Sequence, residues 1–66
     1  MLVKFKYEGT TFEYKNFVSA ALPSVGDTVA GHWSSYAWKV GRRVYVYNSD
    51  PTYDYIEIDL VDKRAS

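Results

Sequence analysis

Val3, Phe5 and Tyr7 alternate with Lys4 and Lys6 at the start of the chain. A period of two over six residues predicts a half-buried β-strand. Glu8-Gly9 follows as a two-residue turn, with glycine free to take the positive φ that such turns require. Folding the chain there sets Phe5 against Phe12 and Val3 against Tyr14 on one face, and Lys4 against Glu13 on the other. Aromatic and opposite-charge pairs fall into register together, as a stable hairpin requires.

The next stretch is short and punctuated. Asn16 is placed to cap a helical turn through Ser19, Ala20 and Ala21, which Pro23 ends. Val25-Gly26-Asp27-Thr28-Val29 reads as a tight turn into a third strand running through Ala30 towards Trp33, and Ser34-Ser35 as the turn after it. A long fourth strand starts near Tyr36. Trp38 shares parity with Val40 and belongs to the core. Gly41 predicts a bulge or bend, because without one Arg42 would share a face with Val40 and Val44. Asp50-Pro51 has the form of a type I turn. It leads to a fifth strand with Ile56, Ile58 and Leu60 inward, and Lys63-Arg64-Ala65-Ser66 is expected to fray.

The last hairpin carries the main functional candidate. If Tyr47 pairs with Tyr53, then Tyr45 pairs with Tyr55 and Arg43 with Glu57, gathering four tyrosines on one outward face beside an ion pair. Tyrosine gives large contact area at low entropic cost, with a hydroxyl for orientation. It is also a good strand former and sits half-exposed on many sheets without a role. Trp33 and Tyr36, in the loop Gly31-His32-Trp33-Ser34-Ser35-Tyr36, are candidates to adjoin this face.

Five short strands separated by turns every 8–12 residues or so predict an all-β fold, a small SH3-like barrel of about five antiparallel strands filling residues 1–66 as one domain. A chain of 66 residues buries roughly 60% of its unfolded surface and is marginally stable. It holds no cysteine and one histidine, so neither a disulfide nor a structural zinc site is available. Aromatic packing, at 18% Phe, Trp and Tyr, or self-association must supply the difference.

Eight basic and eight acidic residues balance, which removes long-range attraction to nucleic acid or an acidic membrane. No apolar run reaches membrane length and the N-terminus alternates too early for a signal peptide, so the cytoplasm is the expected location. His32 beside Ser34 or Ser35 lacks the orienting acid and cleft of a hydrolase, and the expected role is not enzymatic. Asp54, Glu57, Asp59 and Asp62 form no dense loop of oxygen ligands, and strand alternation sends Asp54 away from Glu57 and Asp59. No cofactor or metal is implied. Lys4, Lys6, Lys15, Lys39, Arg42 and Arg43 interleave with tyrosines as in single-strand binding platforms, but the acidic fifth strand opposes that reading.

Two resemblances bear on these expectations. Val3-Lys4-Phe5-Lys6-Tyr7-Glu8-Gly9 and Trp38-Lys39-Val40-Gly41-Arg42 resemble segments of the small basic archaeal chromatin proteins, whose fold is an SH3-like barrel. The basic excess and C-terminal helix of that family are missing here, so the resemblance implies the barrel and not DNA binding. Leu22-Pro23-Ser24-Val25-Gly26-Asp27-Thr28-Val29, followed by valine and aromatic strands, is similar to small bacteriophage and prophage accessory proteins, a group that includes inhibitors of host defence. It implies a stoichiometric protein that blocks or sequesters a host factor in the host cytoplasm. The contact face would be Arg43, Tyr45, Tyr47, Tyr53 and Tyr55, with Trp33 and Tyr36 adjoining. A homo-oligomer is expected alongside. The alternatives are an oligomeric sponge for a small nucleotide-type ligand and a single-stranded nucleic-acid module.

Overall fold

The computed structural model describes residues 1–65. Five strands follow in order: β1 (Leu2–Tyr7), β2 (Thr10–Tyr14), β3 (Thr28–Ala30), β4 (Tyr36–Val46) and β5 (Tyr55–Ala65). Single 3₁₀ turns, Ser19–Ala21 and Pro51–Tyr53, interrupt the two longer connections. The strands make one sheet in the order β2-β1-β5-β4-β3. The fold is all-β and barrel-like, but open: β2 and β3 are the two edges and do not pair. It also departs from the expected all-antiparallel arrangement, because β1 and β5 run parallel, with Val3 beside Ile56 and Phe5 beside Ile58.

The first hairpin has the register that its sequence dictates, Phe5 to Phe12, Val3 to Tyr14 and Lys4 to Glu13. Glu8 and Gly9 both take positive φ, 45° and 77°, as a type I′ turn needs. After β2 the chain turns at Lys15 and Asn16 and is tied back by reciprocal bonds in which the Met1 amino group donates to the Phe17 carbonyl and the Phe17 N–H to the Met1 carbonyl, at 3.1 and 2.9 Å. This ladder delays the 3₁₀ turn, so its cap is Val18, without a side-chain bond, and not Asn16.

The long β4–β5 ribbon contains two bulges. Val40 pairs with Leu60 but Arg42 with Asp59, which leaves Gly41 as the extra residue on β4. Ala37 pairs with Arg64 but Lys39 with Val61, which puts the other irregularity on β5, where Asp62 has a φ of 52°. The Gly41 bulge swings Arg42 and Val44 to the outer face while Val40 stays inside, resolving the conflict in the sequence pattern. The expected fraying of residues 63–65 does not occur, because they extend β5 against β4, with Tyr36 opposite Ala65. Ser66 lies outside the described residues.

Alternation sends Val3, Phe5, Trp38, Val40, Ile56, Ile58 and Leu60 to one face, where they form the buried core. The outer face carries charge. Lys4 meets Glu13 at 3.6 Å, Lys6 meets Glu57 at 2.8 Å and Arg42 meets Asp59 at 2.8 Å, a ladder of opposite signs across β2, β1, β5 and β4. Lys63 on β5 reaches Glu8 in the first turn at 2.9 Å.

Trp33 covers the core. β3 stops at Ala30 and the chain turns at Gly31–Ser34, where the Ser34 N–H donates to the Gly31 carbonyl, so the turn comes earlier than Ser34-Ser35. This puts the Trp33 indole over the first hairpin, stacked on Phe5 at 5.6 Å, Tyr7 at 5.0 Å and Phe12 at 5.9 Å between ring centroids. Its Nε1 donates to the Tyr14 hydroxyl at 3.0 Å, and the Tyr7 hydroxyl donates to its carbonyl at 3.2 Å.

Two predictions follow from this packing. A Cβ at Gly31 would overlap the rigid indole of Trp33, so Gly31→Ala is expected to lower stability by about 1–3 kcal/mol in urea denaturation, with red-shifted tryptophan emission. The second concerns alkaline pH. Hydrogen bonding to Glu57 holds the Lys6 ammonium above its ordinary value of 10.5, and Glu8 does the same for Lys63. A cation raised in the folded state stabilises fully below 10.5 and loses that contribution as pH climbs through the higher folded value. The difference in thermal midpoint between the wild type and Lys6→Met/Lys63→Met should therefore be constant at neutral pH and shrink above that range.

Candidate functional site

The tyrosine hairpin does not have the register expected of it. Tyr45 lies opposite Ile56, Val46 opposite Tyr55, and Arg43 opposite Ile58. The pairing is one residue out from Tyr47–Tyr53, Tyr45–Tyr55 and Arg43–Glu57, and such a slip reverses faces. Tyr45 and Arg43 project on the core side, and Tyr55 projects with Lys4 and Glu57 on the outer side. The expected Arg43–Glu57 pair is absent because Glu57 is taken by Lys6.

The loop chemistry accounts for the slip. Asp50 Oδ1 accepts from the Thr52 N–H at 3.0 Å and starts the 3₁₀ turn with Pro51 in its first positions. Asp54 Oδ1 accepts from the Asn48 N–H and Asn48 Nδ2 donates to the Tyr53 carbonyl, both at 2.6 Å. These side chains replace the ladder bonds that Tyr47 and Tyr53 would have made. The paired strands therefore end at Val46 and Tyr55.

The tip nonetheless collects most of the expected residues by another route. Tyr45, Tyr47 and Tyr55 line a small pocket of about 200 Å³ with Met1, Leu2, Val46 and Ile56, and Asp54 at its edge. Met1 and Leu2 arrive because parallel pairing brings the start of β1 beside Tyr55. Tyr47 is 80% exposed and Tyr53 66%, so neither ring is used by the fold. Tyr55 lies under the Lys4 ammonium, 4.0 Å from its centroid.

Arg43 is the cation on the core side of β4 next to Tyr45. Its Nη2 donates to the Tyr45 hydroxyl at 2.5 Å and its guanidinium sits 5.5 Å from that ring's centroid. Its Nε is buried without a hydrogen-bond partner, and no carboxylate pairs with it among the described residues. An unpartnered buried N–H of this kind costs about 1–3 kcal/mol.

Trp33 and Tyr36 do not adjoin the tip. Trp33 is part of the core cover. Tyr36 starts β4, about 30 Å from Tyr45 at roughly 3.3 Å per strand residue, against Trp38 and under Lys63. His32 packs edge-on against Phe12, and the Ser34 hydroxyl accepts from Trp38 Nε1 and the Tyr36 N–H. Among the described residues no three acidic or histidine side chains gather as a metal site, and no helix is long and apolar enough to cross a membrane.

A second concavity, missed in the sequence, lies between the free edges β2 and β3. It is a groove of about 540 Å³ lined by Phe5, Tyr14, Phe17, Val29 and Trp33, together with Ala20–Pro23 and Asp27. The pattern of Leu22, Phe17 and Val29 marks apolar positions, but nothing local says that the sheet stays open between them. Comparison with protein families, curated proteins and solved structures finds no match for this chain.

The geometry at Arg43 makes a stability prediction. Arg43→Met keeps the apolar stem and removes the stranded Nε, so the unfolding free energy from urea denaturation should stay unchanged or rise, by up to about 1 kcal/mol, where an ordinary strand arginine in an ion pair would lose stability.

Proposed function

We propose that this chain is a non-enzymatic binding protein that grips a partner protein with the β4–β5 tip. The observation that carries the reading is Arg43, a cation held against Tyr45 with a buried N–H and no acid of its own. A buried N–H that costs stability and finds no acceptor within the chain is most economically explained by a group brought from outside, here a carboxylate. The exposed rings of Tyr47 and Tyr53 and the apolar pocket between Tyr45, Tyr55 and Met1 supply the contact area around it. Aromatic and arginine side chains of this kind form the energetic centres of protein interfaces.

The similarity of Leu22–Val29 to small phage accessory proteins supports a host factor as the partner and blocking as the outcome. The nucleic-acid alternative gains little, because Lys4, Lys6, Arg42 and Lys63 are each engaged by an acid. The test is stoichiometric capture from host extract by the tagged chain, compared across variants. Arg43→Met and Tyr47→Ala should each weaken capture at least about tenfold without loss of stability, with Thr11→Ala on the outer face neutral. Capture that survives both tip variants would reject the tip as the contact surface. Sedimentation of the purified chain separates partner binding from self-association through the same residues.

A further inference from the structure

The groove between β2 and β3 has a chemistry distinct from the tip. At about 540 Å³ it falls within the range of small-molecule sites, roughly 300–1,000 Å³. Four aromatic rings contribute to its wall: Phe5, Tyr14, Phe17 and Trp33. Asp27 is its sole charged lining residue, and no lysine or arginine reaches it. The Asp27 carboxylate accepts from the Ser24 N–H through Oδ2, at 2.8 Å, and pairs with no cation among the described residues.

The backbone adds to the same bias. Of the backbone polar groups of Asp27, the carbonyl faces β4, accepting from the Val40 N–H, while the N–H donates to the Ser24 carbonyl. Antiparallel alternation then turns those of Thr28 and Ala30 to the free edge, beside the groove. Ala20–Pro23 and Trp33 both line the groove, whose volume suits a compact ligand.

We propose that this groove binds a small organic cation carrying an alkylated ammonium group. Aromatic rings attract such a group within about 6 Å of their centroids, and its weak hydration lets it leave water at low cost. Asp27 supplies the counter-charge. Phosphate-bearing ligands have no positive group to meet there, so the groove discriminates against nucleotides.

The experiment is an NMR titration of the full chain with choline and with its neutral isostere 3,3-dimethyl-1-butanol, with adenosine monophosphate as the anionic control. Choline should shift the Trp33 indole N–H and the Ala20 and Ala21 amides. It should bind about 3- to 30-fold more tightly than the isostere, the factor that a cation–ring attraction contributes. Asp27→Asn, which keeps an acceptor for Ser24, should reduce that preference by removing the counter-charge while the ring contribution stays. Thr28→Lys, on the exposed edge, should do so independently if the first variant is poorly folded. Equal binding of the two isosteres, shifts confined to Tyr45 and Tyr47, a stronger response to adenosine monophosphate, or no response to choline would each overturn the proposal. The tip variants Arg43→Met and Tyr47→Ala should leave choline binding unchanged, so the two sites stand or fall separately.

Discussion

The packing of Trp33 on the first hairpin is the interaction on which the rest depends. A curved sheet with two free edges has one apolar face and no second layer to cover it. The indole crosses that space, stacks on Phe5, Tyr7 and Phe12, and donates to Tyr14. It thereby ties the β3–β4 turn to the opposite edge, β2, with which β3 shares no ladder bond. Gly31 has to be glycine for the ring to lie there. In a chain of 66 residues without disulfides, one large side chain serving as a lid replaces much of a missing layer.

Closure by a side chain instead of a strand explains both concavities. Because β2 and β3 never meet, a groove stays open beside Trp33, floored by the rings that hold the lid in place. Because β4 and β5 run on past the lid, the core side of their tip is covered by their own side chains. Arg43 and Tyr45 occupy that face opposite Ile58 and Ile56, where a larger domain would have placed aliphatic residues under a second layer. The outer face is electrostatically self-contained. Lys4, Lys6 and Arg42 each meet an acid on a neighbouring strand.

The two surfaces divide the chemistry. The tip presents a cation with exposed rings and suits an acidic, apolar protein surface. The groove presents an acid with partly enclosed rings and suits a cation of small size. Ser34, the hydroxyl nearest in sequence to His32, is committed as an acceptor for Trp38 Nε1 and the Tyr36 N–H.

The sequence by itself determined what is local. The register of the first hairpin follows from a two-residue turn and matched pairs on both faces. The inward sets Val3 and Phe5, Trp38 and Val40, and Ile56, Ile58 and Leu60 follow from period-two alternation, and the Gly41 bulge from a parity conflict. Tertiary structure decided the rest. The parallel pairing of β1 with β5 joins residues more than fifty positions apart, and no local pattern encodes its direction. The tip register turned on Asp50, Asn48 and Asp54 bonding to the loop backbone, which moved Tyr45 and Tyr55 to opposite faces. The role of Trp33 needed three elements in place at once. Side-chain alternation is a property of a few consecutive residues, whereas closure of a sheet depends on which distant edges come close enough to be bridged.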